Sequence, residues 1–464
     1  MQQGPRVRAP ESDLKEKIES RSAVISIIGL GYIGLPLATI FAEAGFPVLG
    51  IDLDRSRIEA ICRGESYIND VPSEALNRLV ATKIEALTDA SETRRFWATD
   101  DYEELKHADV VIVCVPTPLS KTRDPDVSYI ISAAEKMGSF IRNGALVVLE
   151  STTYPGTTEE IILPVLEKSS SLSSDGQPAT VGKDFFLAFS PERIDPGRTD
   201  WTIKETPKVI GGITEYCLEV AVALYASVVD RVVPVSSPKV AEMVKLLENT
   251  FRATNIALVN EVAIICDRLG VDVWEVIEAA KTKPFGFMPF YPGPGLGGHC
   301  IPVDPQYLAW KLRTLNYKAR FIQLAEEINF SMPEYVLDKI ANALNDCSMP
   351  LRGSQVLVLG VAYKADMGDL RESPALDVIE LLSGKGASVV YNDPYVPSLT
   401  VGDISLRSVE LNEDRLKSMD CVVITTSHGS YDWGWIVRHS KLIVDTRNAT
   451  AGLAAEHGGR IVKL

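Results

Sequence analysis

The chain opens its ordered pattern with a β-branched run at residues 23–28 (AVISII), which passes through GLGYIG into an apolar helical stretch stopped by Gly45. A run apolar at every position is buried on both faces, and Gly just past a helical period ends the helix. PVLGIDLD reads as a second strand ending in acids. The alternation continues with a strand at 109–116 (DVVIVCVP), a helix at 131–141, and strands at 145–152 (ALVVLEST) and 185–192 (FFLAFSPE). Near-continuous apolar strands alternating with helices predict a parallel sheet covered on both sides. At 237–270 the pattern becomes a long amphipathic helix, with Pro238 near its start and Gly270 at its end, long enough to bridge two domains. A helix at 273–281 leads into a Gly- and Pro-rich loop, KPFGFMPFYPGPGLGGHCIPVDP (283–305), and ordered loops of that length are usually functional. After helical residues 306–347 a second α/β unit begins at Gln355, with a helix at 374–384 and strands in ASVVYNDP, DCVVITTSH and KLIVDTRNA.

The expected fold is α/β: two Rossmann-like doubly wound domains joined by a central helical domain with one long bridging helix. Its parts are a flexible arm at 1–22, a dinucleotide domain at 23–235, a central helical domain with the cysteine loop at 236–345, and a second Rossmann-like domain at 346–464. A length of 464 residues suits two or three domains, and 46% apolar with 23% charged residues is ordinary globular composition. The net charge of −15 argues against nucleic acid or an anionic membrane as partner, so phosphates must be met by a few placed cations and backbone amides. The seven cysteines are scattered without CxxC spacing, which fits a reducing, cytoplasmic setting. The absence of HExxH and of clustered ligand spacing gives metal catalysis no support. Ala23 to Ala42 are twenty residues without a charge, a membrane-spanning length, but three glycines and Pro36 make a strand entering a helix the better reading.

Gly29, Gly31 and Gly34 form GxGxxG between a strand and a helix, and Asp52 ends the next strand. Small residues let backbone approach a pyrophosphate, the helix N-terminus supplies amides, and the carboxylate accepts from ribose hydroxyls. The bland alternative is a tight structural turn. An acid at 52 favours NAD over NADP. Cys300 is the only cysteine in a glycine-rich loop, either a nucleophile or a loop residue of no consequence, whereas Cys114, Cys266 and Cys421 lie in apolar runs and are expected in the core. Asp304 either orients a water or caps a turn. Lys245 and Asn249, at i and i+4, share a helix face and could stabilise an oxyanion, though a Lys snorkelling at a surface fits equally. Glu192 and Thr152 sit just past strand ends, where α/β sheets place their sites, and either could merely cap a turn. His299 adjoins Cys300, but neighbours in an extended loop point apart, so a structural or substrate-contact role is expected for it.

Together GLGYIGLPLA, VPTPL, EST, SPER, the Lys245/Asn249 helix, GGHCIPVDP and GVAYKADMGDLRESPA resemble the UDP-glucose/GDP-mannose dehydrogenase family of nucleotide-sugar 6-dehydrogenases, over about Val24 to Val462. The resemblance implies a four-electron oxidation of a sugar C6 alcohol to a carboxylate, with two NAD and one water consumed. Cys300 would form a thiohemiacetal and then a thioester. Lys245 and Asn249 would stabilise oxyanions, Asp304 and Thr152 would manage water and protons, and Glu192 would assist thioester hydrolysis. Besides the glycines and Asp52, the implied cofactor contacts are Tyr32, Ile33, Arg57, Pro116, Thr117, Thr152 and, from the last domain, Arg371. The implied substrate contacts are Glu192, Arg193, Ile194, Lys245 and Asn249, then Gly295, Gly297 and Gly298 of the loop, with Lys364 and Arg447. The loops look most like enzymes of UDP-N-acetylglucosamine that supply surface polysaccharide, and the Arg that UDP-glucose enzymes carry near Pro284 is missing. The same chemistry on UDP-glucose, UDP-ManNAc or UDP-GalNAc is the alternative. A catalytically idle NAD-binding protein is the remote one, against which all of Lys245, Asn249, Cys300 and Asp304 are present. A homodimer or higher homo-oligomer through the long helix is also implied.

Overall fold

The computed structural model describes residues 10–464 apart from 69, 82, 89–93, 121–123, 170, 173–176, 194–200 and 454–459. The chain divides into two compact units, 1–247 and 248–464. The first is built on strands β1 (Ile25–Ile28), β2 (Val48–Ile51), β3 (Phe96–Thr99), β4 (Val110–Val113), β5 (Leu146–Leu149), β6 (Phe186–Phe189), β7 (Lys208–Gly212) and β8 (Val232–Val235), in the order β3-β2-β1-β4-β5-β6-β7-β8. The strands β1 to β6 pair in parallel; β7 runs antiparallel to β6 and carries β8 parallel to itself. The expected parallel sheet thus gains a reversed pair. No helix lies between β6 and β7 among the described residues, and strands without a crossover helix pair antiparallel. Alternate side chains serve two buried clusters, Ile25 and Ile27 on one face and Ile28 with Leu49 and Ile51 on the other.

The uncharged stretch from Ala23 is β1 followed by the helix Gly34–Glu43, and among the described residues no helix is long and apolar enough to cross a membrane. The flexible arm expected at 1–22 is corrected for its second half, where Pro10–Glu19 is a helix. Leu14 and Ile18, one turn apart, are buried, and Lys15 reaches Glu219 at 2.8 Å and Lys17 reaches Asp109 at 3.1 Å. Two buried aliphatic side chains at about 1.5–3 kcal/mol each outweigh the poor intrinsic helicity of so short a segment.

The second unit holds β9 (Gln355–Leu359), β10 (Ser388–Asn392), β13 (Cys421–Ile424), β14 (Leu442–Asp445) and β15 (Arg460–Lys463) in one parallel sheet, with a separate hairpin of β11 (Ser398–Val401) and β12 (Ile404–Arg407). The order β10-β9-β13-β14-β15 is a doubly wound arrangement with its switch point between β9 and β13. The long helix Pro238–Leu269 begins in the first unit and continues into the second, followed by helices Val273–Lys281, Asp304–Thr314 and Arg320–Asp346. Met332, Val336, Ile340 and Leu344 of the last helix share one buried cluster with Val356, Val358 and Val423 of the sheet, so the central helices and the C-terminal sheet form one compact body.

Candidate active site

In the first unit the candidate positions line the carboxyl ends of the parallel strands. Gly29 follows β1 with φ of +92°, and a Cβ there would lie 2.6 Å from the Cys114 carbonyl oxygen. A Cβ on Gly34 would overlap the Gly29 carbonyl oxygen. These two glycines are demanded by the turn itself. Gly31 differs, because a Cβ there would find Arg57 Nη1 as its nearest neighbour, 3.9 Å away, so the space above it is open. No side chain caps the helix at Ile33; Leu35 N turns back to the Gly31 carbonyl at 3.1 Å and Pro36 has no N–H, so Gly34 N is the amide of the first turn left for a ligand. Asp52 is nearly buried past β2; Oδ2 accepts from Leu30 N at 2.8 Å and Arg57 Nη1 at 3.3 Å, and Oδ1 accepts from Asp54 N at 2.9 Å. A carboxylate has about four acceptor sites, so capacity remains for a ribose hydroxyl. Tyr32 is 46% exposed beside this turn. Tight turn, uncapped helix and distal acid together fit a dinucleotide pyrophosphate and ribose.

Pro116 and Thr117 follow β4, Ser151 and Thr152 follow β5, and Pro191, Glu192 and Arg193 follow β6. Ser151 Oγ donates to the Val115 carbonyl at 2.9 Å, tying the first two turns, and Arg193 Nη1 donates to the Pro207 carbonyl at 2.6 Å. Thr152 is half-buried and Glu192 nearly buried, while Ile194 lies outside the described residues. Beneath them Glu150 is fully buried and pairs with Lys208 at 2.7 Å, while its other oxygen accepts from the Tyr225 hydroxyl. Burial alone would lower the Lys208 ammonium, but the carboxylates of Glu150 and Glu192 outweigh it and raise it above the ordinary lysine range. Burial pushes Glu150 upward, against the pull of Lys208. A second buried acid, Glu242 of the long helix, accepts from Gly156 N and, through Oε1, from Thr158 N at 2.9 Å and Thr158 Oγ1 at 2.7 Å. It fixes that helix, three residues before Lys245, against the turn that follows Thr152.

In the second unit Cys300 lies four residues before the start of the helix Asp304–Thr314, and its carbonyl accepts from Val303 N at 3.1 Å and Asp304 N at 2.8 Å. Asp304 is buried, and its Oδ2 accepts from Asn249 Nδ2 of the long helix. Cysteine, carboxylate and amide are thereby brought into one cluster. Lys245 is also nearly buried, one turn before Asn249 on the same helix. His299 is corrected: its Nε2 lies 3.4 Å from Cys300 Sγ, because the chain bends through residues 298–300 instead of running extended. The loop glycines also have a packing reason. A Cβ on Gly295 would meet Pro374 at 2.9 Å, on Gly297 Tyr363 at 2.7 Å, and on Gly298 the Tyr363 ring at 2.9 Å; Gly298 N donates to the Arg371 carbonyl at 3.0 Å.

Three cations lie near this loop or past the ends of the second sheet. Arg447 follows β14, donates through Nε to the Thr425 carbonyl at 2.8 Å, and lies against Gly293. Burial brings its guanidinium down to about 10, with Asp445 opposing, so it remains a cation at neutral pH. Lys364 is half-buried on the segment after β9. Arg371 grips Asp369 with Nε at 3.0 Å and Nη2 at 2.6 Å. Burial would raise the Asp369 carboxyl, but Arg371 outweighs it and holds it below the usual range.

Residues 23–229 match the NAD binding domain of the UDP-glucose/GDP-mannose dehydrogenase family, 239–331 its central domain and 357–452 its UDP binding domain. The chain belongs to that family. CapL of Staphylococcus aureus is 38% identical over 409 residues, 88% of this chain and 90% of that protein. UDP-N-acetyl-D-glucosamine 6-dehydrogenase of Pseudomonas aeruginosa is 35% identical over 410 residues, 88% of each. The solved structure of UDP-D-ManNAc dehydrogenase from Pyrococcus horikoshii shares the fold with a TM-score of 0.81 at 35% identity, over 95% of this chain and 99% of that one. As a nucleotide-sugar dehydrogenase with an NAD-binding domain, the protein is an oxidoreductase. For this dehydrogenase the sequence motifs gave no part to the buried polar groups Glu150, Lys208, Tyr225 and Glu242. A charge inside an otherwise apolar run, as in VVLES and PKVIGG, is the signal that could have found the first two. Cys114, Cys266 and Cys421 are buried as expected, and burial pushes the Cys114 and Cys421 thiols well up.

Proposed function

We propose that the enzyme oxidises the C6 alcohol of a UDP-N-acetylhexosamine to the uronate by four electrons, with UDP-N-acetylglucosamine as first substrate, for surface polysaccharide synthesis. The observation that carries this reading is the Asn249–Asp304 bond at the first turn of the helix that Cys300 precedes. When bound, NAD accepts a hydride at each of two oxidations, so two NAD and one water yield the carboxylate, two NADH and three protons. Between them the Cys300 sulfur adds to the aldehyde carbon, giving a thiohemiacetal that the second oxidation converts to a thioester. Lys245 and Asn249 hold the oxyanion, and Asp304 with Thr152 orders water and protons. Glu192 takes the proton of the water that cleaves the thioester, restoring the Cys300 thiolate.

UDP-N-acetylmannosamine is the second reading, favoured by the Pyrococcus horikoshii structure. UDP-glucose and UDP-GalNAc share the chemistry. We assign NAD to 23–235, the bridging helix and cysteine loop to 236–345 and the UDP-sugar to 346–464, with Lys364 and Arg447 on substrate phosphates and Arg371 on cofactor phosphate. Phe251, Leu258 and Ile265, seven residues apart on the long helix, are 47%, 57% and 48% exposed, which supports a homodimer through that face. All seven cysteines are unpaired, which fits the cytoplasm.

The purified protein is to be incubated with each UDP-sugar while NADH formed per sugar consumed is counted. Two NADH on UDP-N-acetylglucosamine is expected. One NADH on every sugar rules out the covalent scheme, and two on UDP-N-acetylmannosamine alone moves the assignment to the epimer. Cys300→Ser is expected to form no acid.

A further inference from the structure

We propose that Lys208 is a positioning residue for the second half of the reaction, release of the acid, acting through Glu192. This role rests on the function assigned above to Glu192.

The Lys208 ammonium meets groups from three neighbouring elements. Glu150 Oε2, just past β5, lies at 2.7 Å; the Pro191 carbonyl, just past β6, accepts at 3.4 Å; and the Tyr225 ring of the helix Glu215–Ala226 has its centroid 5.2 Å away. Lys208 is 6% exposed and Glu150 0%. A buried ion pair is a costly way to fill a strand, since apolar side chains of similar volume serve stability as well or better. What the pair does that apolar side chains cannot is to bond both turns that carry the proposed machinery. Glu150 is two residues before Thr152, and Pro191 is the residue before Glu192. One cation therefore sets the spacing of the two turns.

It also sets charge. The titratable groups facing this cation are Glu150 from β5, Glu192 from β6, Cys114 from β4 and Tyr225 from the covering helix. With Lys208 present, the negative charge of Glu150 is matched by a cation that also bonds the turn carrying Glu192. Without it, the fully buried Glu150 carboxyl has no countercharge and takes up a proton, the Pro191 carbonyl loses its donor, and the turn that carries Glu192 is no longer held.

The test uses the full-length enzyme with whichever of UDP-N-acetylglucosamine or UDP-N-acetylmannosamine it oxidises, and the variants Lys208→Met, Lys208→Arg and Glu192→Gln. Three quantities are read: the rate of the first NADH in a single turnover, the intact mass of an acyl adduct on Cys300, and the rate of acid release. A general base contributes about 10²- to 10⁴-fold, so a displaced one is expected to slow acid release about tenfold or more in Lys208→Met. Its first NADH stays within about twofold and the adduct accumulates. Lys208→Arg, which keeps the cation, restores the rate of acid release and abolishes the adduct. If Lys208→Met does not fold, the double variant Glu150→Gln/Lys208→Met leaves no unpaired buried charge and still accumulates adduct, because Pro191 has lost its donor. A Lys208→Met enzyme in which both steps fall together without adduct, or neither changes, overturns the proposal. Adduct in Glu192→Gln but in no variant lacking the Lys208 cation overturns it alone; no adduct in Glu192→Gln removes the role of Glu192 and this inference with it.

Discussion

Replacing Asn249 by Asp turns the donor facing Asp304 into a second carboxylate, in a place where Asp304 is only 3% exposed. At about 3 Å and an effective dielectric of about 20, two carboxylates repel by about 5.5 kcal/mol, roughly four pKa units. The folded variant therefore keeps one proton shared by the pair up to about pH 8, while the unfolded chain releases it near pH 4. Between those values the folded state holds one proton more than the unfolded state, so stability falls as pH rises, by about 1.4 kcal/mol per unit. At about pH 5 the shared proton stands in for the lost amide donor and the deficit is about 1.5 kcal/mol; at pH 7 it reaches about 4 kcal/mol. Asn249→Ala, which removes the donor without adding charge, loses about 1–3 kcal/mol with little pH dependence. Urea unfolding of both variants and the parent chain from pH 5 to 8 provides the differences. A deficit of Asn249→Asp that is flat with pH refutes the contact with the Asp304 carboxylate.

Two glycines of one turn are expected to behave oppositely. Gly34→Ala collides with the Gly29 carbonyl and should lose both folding of the turn and NADH binding, whereas Gly31→Ala, with its nearest neighbour 3.9 Å away, should leave the melting temperature in place and lose NADH affinity by fluorescence titration. Glu242→Ala strips the acceptor from the Gly156 and Thr158 amides and should cost about 3 kcal/mol in urea unfolding, with Glu242→Gln intermediate. Leu258→Glu, on the exposed stripe of the long helix, should lower the mass measured by light scattering without lowering helix content; an unchanged mass removes this face as the interface.

Elements with strong local signals were legible to within a residue or two. The long helix expected at 237–270 spans Pro238–Leu269, and the helices expected at 273–281 and 374–384 are Val273–Lys281 and Pro374–Gly384. Pro, Gly and the 3.6 period are properties of adjacent residues, so they can be read without the fold. The helix at Pro10–Glu19 escaped because two apolar residues in ten make a weak period, and it is the surface of the helix Glu215–Ala226 that decides it. The contact of His299 with Cys300 escaped because it depends on the bend through residues 298–300 that an extended reading of the loop leaves out. The GxGxxG turn was the most legible part of the candidate site, since its spacing, strand and helix are all local.

By itself the sequence determined the two doubly wound sheets, the bridging helix and which residue types stand at the strand ends. Hydrophobic period and turn chemistry act over a few residues, and those features need nothing more. Only the tertiary structure decided which polar groups meet. Asn249 and Asp304 are 55 residues apart, Glu150 and Lys208 58, and Glu242 and Thr158 84. Pairings over such separations carry no local signal, yet each buried charge must find its partner, so the fold that brings the strand ends together also chooses them.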